Sequence, residues 1–99
     1  MGVLEGVRVL EIAGIGPGPF CGMLLADLGA EVIAVERPLH GPARGRAAQI
    51  VNRGKRSVVL DLKAPGAREL VLRLVERSDA LIEGMRPGVM ERLGMGPDA

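Results

Sequence analysis

Short aliphatic runs alternating with glycine-rich turns and helix-spaced segments constrain this chain more than any other feature. Arg8-Val9-Leu10-Glu11-Ile12 follows Gly6 and is crowded with β-branched and aliphatic residues, as in a mostly buried strand. It runs into Ala13-Gly14-Ile15-Gly16-Pro17-Gly18-Pro19, after which apolar residues recur at Phe20, Met23, Leu24 and Leu28, a helical spacing. Pro19 suits a first helical turn, where its missing N–H costs nothing, and Gly29 is a natural C-terminal cap. Glu31-Val32-Ile33-Ala34-Val35-Glu36 reads as the second strand. Residues 8–36 therefore form a β–loop–α–β unit of the size parallel pairing needs, with a right-handed crossover expected.

The alternation continues. Ser57-Val58-Val59-Leu60-Asp61 reads as a third strand, and a helix is expected from about Pro65 to Arg77 with Ala67, Leu70, Val71 and Leu74 on one face. Glu69 and Arg73 form an i,i+4 pair on its outer side. Ala80-Leu81-Ile82-Glu83 is a fourth strand and Gly88 to Leu93 a short helix. The fold class is α/β, a Rossmann-like open, mostly parallel sheet with flanking helices. Such a set of elements makes only about half of a doubly wound domain. The last residues, Gly96-Pro97-Asp98-Ala99, would ordinarily open another helix, so residues 1–99 are expected to be the N-terminal part of a larger domain.

Composition removes several function classes. With 13 Lys+Arg against 12 Asp+Glu the net charge is +1, and Phe20 is the one aromatic residue, which argues against nucleic acid as a partner. No apolar run approaches the roughly 18 residues that cross a bilayer, so no membrane partner is expected. Cys21 alone cannot form an internal disulfide, and residues 1–20 lack the pattern of a signal peptide. The expected compartment is the cytoplasm.

Candidate chemistry is sparse. Gly14-Ile15-Gly16 with Glu36 downstream is the start of a dinucleotide fingerprint, but Pro19 replaces the third glycine, and Pro17 and Pro19 remove N–H groups that would greet a pyrophosphate. A loop lining a small-molecule cleft at the carboxyl edge of the sheet fits better. From Pro38 to Gly54 neither period is evident, which reads as a long, functional loop. No acid falls between Glu36 and Asp61, whereas six of the 13 basic residues do: Arg37, Arg44, Arg46, Arg53, Lys55 and Arg56. They read either as a solvated face or as a partner for the phosphates of an anionic ligand. His40 reads as a surface residue and Cys21 as a small buried hydrophobe. Asp61 and Glu83 stand at strand ends near the cleft, where either could be a structural cap. One His and one Cys offer no metal site.

Several separate motifs carry a family resemblance. Leu4-Glu5-Gly6-Val7-Arg8-Val9-Leu10-Glu11, Gly16-Pro17-Gly18-Pro19-Phe20-Cys21, Leu25-Ala26-Asp27-Leu28-Gly29-Ala30 and Val35-Glu36-Arg37-Pro38 resemble the start of family III CoA transferases and α-methylacyl-CoA racemases. So do Asn52-Arg53-Gly54-Lys55-Arg56-Ser57, Leu60-Asp61-Leu62-Lys63, and Glu83-Gly84-Met85-Arg86-Pro87-Gly88-Val89 with Leu93-Gly94.

The resemblance implies acyl-CoA thioesters as substrates, with coenzyme A as part of the substrate and no separate cofactor. It also implies an interlocked homodimer for the full-length enzyme, a place in lipid metabolism, and catalytic residues beyond residue 99. His40 does not match the family's catalytic His-Asp motif. For this chain it implies CoA contacts at Arg37, at Leu60, Asp61, Leu62 and Lys63, and at Arg86, with Ile15 and Arg92 as weaker carry-overs. The Gly-Ile-Gly-Pro-Gly-Pro form of the first loop and the short connection from Pro38 to Asn52 look more like racemases than transferases. A stand-alone CoA- or nucleotide-binding module is the alternative from another class.

Overall fold

Four strands, β1 (Arg8–Ile12), β2 (Glu31–Glu36), β3 (Lys55–Val59) and β4 (Ala80–Ile82), form one all-parallel sheet in the order β3-β2-β1-β4. The computed structural model describes residues 2–12, 17–37, 50 and 52–99. Helix α1 (Pro17–Asp27) joins β1 to β2, α2 (Ala67–Glu76) joins β3 to β4, and α3 (Val89–Arg92) follows β4. The expected long loop from Pro38, with His40, Arg44 and Arg46, falls mostly on residues outside those described, as does Ile15.

Alternation along the strands divides the core in two. Leu10, Ile12 and Val35 face one way and pack with Val71 of α2, Met90 of α3 and Met95. Val9 and Val32 face the other way and pack with Ala30, Leu25 and Ala26. Strands buried on both faces are the expected state of a parallel sheet covered by crossover helices. Each fully buried aliphatic side chain contributes about 1.5–3 kcal/mol. Register is continuous from Arg8↔Glu31 to Ile12↔Val35 and from Val32↔Lys55 to Glu36↔Val59, so all strands point their carboxyl ends to the same edge.

The sequence-derived strands β1 and β2 agree with the structure residue for residue. The third does not: β3 runs Lys55–Val59 rather than 57–61. Pairing decides this, because the ladder with β2 begins at Val32↔Lys55 and draws in two cations of low strand propensity. Leu60 adds one more bond, its N–H donating to Glu36 C=O at 2.7 Å, before the chain turns at Asp61.

The inner face of α1 is also a correction. Of the helix-spaced apolar residues only Met23 is buried; Phe20, Leu24 and Leu28 are 52, 44 and 47% exposed, and Cys21, read as a small buried hydrophobe, is exposed as well. The helix turns Gly18, Pro19, Gly22 and Met23 to the sheet instead. A helix offers one such stripe, and here the sheet beneath carries a carboxylate that only a small-residue stripe can approach. On α2, Ala67 and Val71 are buried as expected, but Leu70 is exposed, and Glu69 stands 3.8 Å from its neighbour Arg68. At the end of α1, Gly29 adopts φ 105°, and a β-carbon there would meet Gly2 Cα at 2.9 Å, so its role as a cap is doubly required.

Candidate functional site

Because the sheet is parallel, the segments leaving β2, β3 and β4 emerge together at its carboxyl edge. These segments are Arg37, Leu60–Lys63 and Glu83–Arg86, which brings three of the sequence-derived groups to one side of the molecule. Strand order reverses between β1 and β4, the topological switch point at which open α/β sheets take ligands. The first turn of α1 meets the β4 exit there: a β-carbon on Gly18 would lie 3.9 Å from Gly84 N.

Local chemistry shapes each exit. Asp61 accepts from Lys63 N through Oδ1 at 3.0 Å, and its carbonyl accepts from Ala64 N at 3.0 Å, so the carboxylate closes its own turn. Leu60 and Leu62 lie half-buried against the α2-side core, which leaves Lys63 exposed beside them. Glu83 does the same after β4, its Oε2 accepting from Met85 N at 2.9 Å while Met85 packs on the core. Both acids that stand at strand ends therefore act as turn caps. Arg37 and Arg86 are exposed, and Arg86 C=O accepts from Val89 N at the start of α3. Arg92 is exposed on α3.

The described members of the basic run between Glu36 and Asp61 are split between two ends of the sheet. Arg37 leaves the carboxyl end of β2, whereas Arg53, Lys55 and Arg56 stand at the amino end of β3, across the length of the strands. Arg53 Nη2 donates to Asp27 Oδ2 at 2.6 Å; this bond holds the Asp27 carboxyl below the ordinary carboxylate range and raises Arg53. Arg56 Nη1 lies 3.6 Å from Glu31, whose carboxyl is held low chiefly by the hydrogen bond from Arg8. Of the exposed cations in the segments that leave the carboxyl ends of β2, β3 and β4, Arg37 belongs to the run, whereas Lys63 and Arg86 lie outside it.

Lys55 is the larger surprise. Its side chain is only 2% exposed, with Nζ 2.8 Å from Oε1 of the fully buried Glu11 and donating to Pro19 C=O at 3.0 Å. Neither oxygen of Glu11 accepts a well-aligned hydrogen bond among the described residues, so charge holds this pair. Ala34, the register partner of Glu11 on β2, is small and buried, as the strand between the two ions requires. Sequence reasoning missed the pair; a Glu inside an otherwise aliphatic strand was its one visible signal. Glu36, the acid of the partial dinucleotide fingerprint, is nearly buried and accepts from Ser57 Oγ.

The amino edge carries a cleft of about 450 Å³ whose polar groups already satisfy one another. Arg8 N donates to Asp79 Oδ2 at 2.8 Å, Asp79 N to Arg8 C=O at 2.7 Å, and the Arg8 side chain donates to Glu31. That network ties β4 and β2 to β1. No helix among the described residues is long and apolar enough to cross a membrane.

Known proteins resemble the chain as a whole. The family described as CoA-transferase family III matches residues 4–99. The chain is 50% identical over 95 residues to a Homo sapiens protein named alpha-methylacyl-CoA racemase, covering 96% of this chain and 24% of that protein. It is 44% identical over 110 residues to the succinyl-CoA:mesaconate CoA-transferase of Haloarcula hispanica, covering 97% of this chain and 28% of that protein. The crystal structure of Rv3272 from M. tuberculosis superposes with a TM-score of 0.85 at 42% identity, over 99% of this chain and 29% of that one. The chain thus spans about a quarter of the length of these relatives. With a family match over nearly its whole length and the same fold in a solved relative, the chain belongs to CoA-transferase family III.

Proposed function

We propose that this chain is the CoA-binding part of an acyl-CoA-acting enzyme, with Arg37, Lys63 and Arg86 meeting the phosphates and Leu60 and Leu62 lining the ligand. The observation that carries this reading is the gathering of those segments at the carboxyl edge of one parallel sheet, beside its switch point. A guanidinium fork suits the 3′-phosphate and pyrophosphate of CoA, which offer paired anionic oxygens. A dinucleotide at the same edge is disfavoured because the Glu36 carboxylate is nearly buried and already accepts from Ser57 Oγ, and because two prolines open α1.

For the specific activity, the reading is a racemase that exchanges the proton at the α-carbon of the thioester. Such an enzyme removes the proton on one face and returns it on the other, through an enolate held by nearby donors. The acid–base pair lies outside these 99 residues, in a homodimeric, cytoplasmic full-length protein. Alignment length supports this choice: the transferase match takes 110 positions to cover the share of the chain that the racemase match covers in 95. An insertion in the transferase accounts for that difference. The second reading is a CoA transferase moving CoA between carboxylic acids, favoured by the transferase names among the relatives.

Calorimetric titration of the folded chain with CoA, 3′-dephospho-CoA and NAD tests the binding reading, with folding checked by circular dichroism. CoA should bind more tightly than its dephospho form, and both more tightly than NAD. A folded chain that prefers NAD, or that ignores the 3′-phosphate, overturns it.

A further inference from the structure

The buried ion pair under α1 lies outside the ligand-binding segments, yet it is connected to them. Lys55 Nζ reaches across β2 to Glu11 Oε1 at 2.8 Å and donates to Pro19 C=O, in the first turn of α1, at 3.0 Å. Above the pair, a β-carbon on Gly22 would stand 1.9 Å from Glu11 Oε1 and 3.2 Å from Lys55 Cε, so the helix rests directly on the two side chains. The same first turn meets the β4 exit through Gly18 and Gly84, and that exit leads within two residues to Arg86. Burying two charges costs several kcal/mol per ion before their attraction is counted, so a core built for stability alone has cheaper solutions.

We propose that Lys55 and Glu11 are positioning residues for the ligand edge. Lys55 locks the first turn of α1 onto the sheet through the Pro19 carbonyl, and Glu11 keeps the ammonium aimed at that carbonyl. The lock fixes the wall against which the β4 exit packs, and so the placement of Arg86. This inference rests on the reading of the carboxyl edge as a CoA site. It extends that reading from residues that touch the ligand to a pair that lies within the core.

The test compares the full chain with Lys55→Met and with the double variant Glu11→Gln/Lys55→Met, which removes both charges and keeps similar volume should the single variant fail to fold. Two readouts are taken: amide hydrogen exchange, and CoA affinity by calorimetry. In the double variant the amides of Cys21, Gly22 and Met23 should lose about tenfold or more in protection while those of α2 keep theirs, because the opening is local. CoA affinity should fall by about tenfold or more with the cooperative unfolding transition retained, as misplaced supporting groups produce. A folded double variant with wild-type exchange in α1 and wild-type CoA affinity overturns the proposal. Wild type that binds no CoA overturns the reading of the edge instead, and the exchange pattern then still reports whether the lock exists.

Discussion

Gly22 stands directly over Glu11, with room for a hydrogen and nothing larger: a β-carbon there would lie 1.9 Å from Glu11 Oε1 and 3.0 Å from its carboxyl carbon. The contact explains why α1 turns glycine and proline, rather than its larger apolar residues, toward the sheet. Gly22→Ala is expected to destabilise the fold by about 1–3 kcal/mol, since the buried Glu11 carboxylate it meets cannot move aside without disturbing its pairing with Lys55. Cys21→Ala, one residue away on the exposed side, should stay within about 0.5 kcal/mol. Urea unfolding of the two variants measures the contrast, and equal midpoints would contradict it.

Exposure separates apolar residues that look equivalent in the sequence. Leu10→Ala, at a fully buried position, should cost about 2–5 kcal/mol. Leu24→Ala on the outer side of α1 should cost under about 1 kcal/mol, because much of its side chain is already in water. Denaturant midpoints that fall in the reverse order would show that α1 packs by its larger residues after all.

For the proposed ligand edge, Arg37→Ala should weaken CoA binding by about 1.5–3 kcal/mol, the range for a hydrogen bond to a charged group. Arg53→Ala, from the same basic run, should leave CoA affinity unchanged, because Arg53 stands at the amino end of β3 and is paired with Asp27. Calorimetry on both folded variants decides; a loss at Arg53 equal to that at Arg37 would restore the single-patch view of the run.

Acid should erode stability through Asp27 and Glu31. Arg53 and Arg8 donate to these carboxylates and hold both below the ordinary range near pH 4. A group whose folded value is depressed takes up its proton more readily when unfolded, so its contribution is present above the unfolded value and lost as pH falls through the folded one. Thermal melts from pH 6 downward should show the midpoint falling below about pH 4, and Asp27→Asn with Glu31→Gln should flatten that acid limb. Salt should shrink the difference, because both pairs are solvent-accessible. An acid limb as steep in the double variant as in wild type would assign the loss to other carboxylates.

Element type and order were legible before any coordinates. The aliphatic runs at 8–12 and 31–36, the cap at Gly29 and the Ala67–Val71 spacing are local signals, and the structure keeps each of them. The turn chemistry after β3 and β4 was half legible, since Asp61 and Glu83 are placed where a carboxylate can accept from the amide two residues on. A family match over residues 4–99 adds the identity of the parent family to that local reading.

The sequence by itself determined that strands and helices alternate and that the sheet is parallel, because periodicity and turn residues act over a few positions. Only the tertiary structure decided which stripe of α1 faces inward and which cations share an edge. Phe20, Leu24 and Leu28 satisfy a helical period, yet the buried Glu11 beneath α1 admits only Gly22. Arg37 and Arg53 are near in sequence, yet they stand at opposite ends of parallel strands. Lys55 reads as one more surface cation until pairing with Val32 places it across β2 from Glu11, in a low-dielectric interior where charge must find its partner.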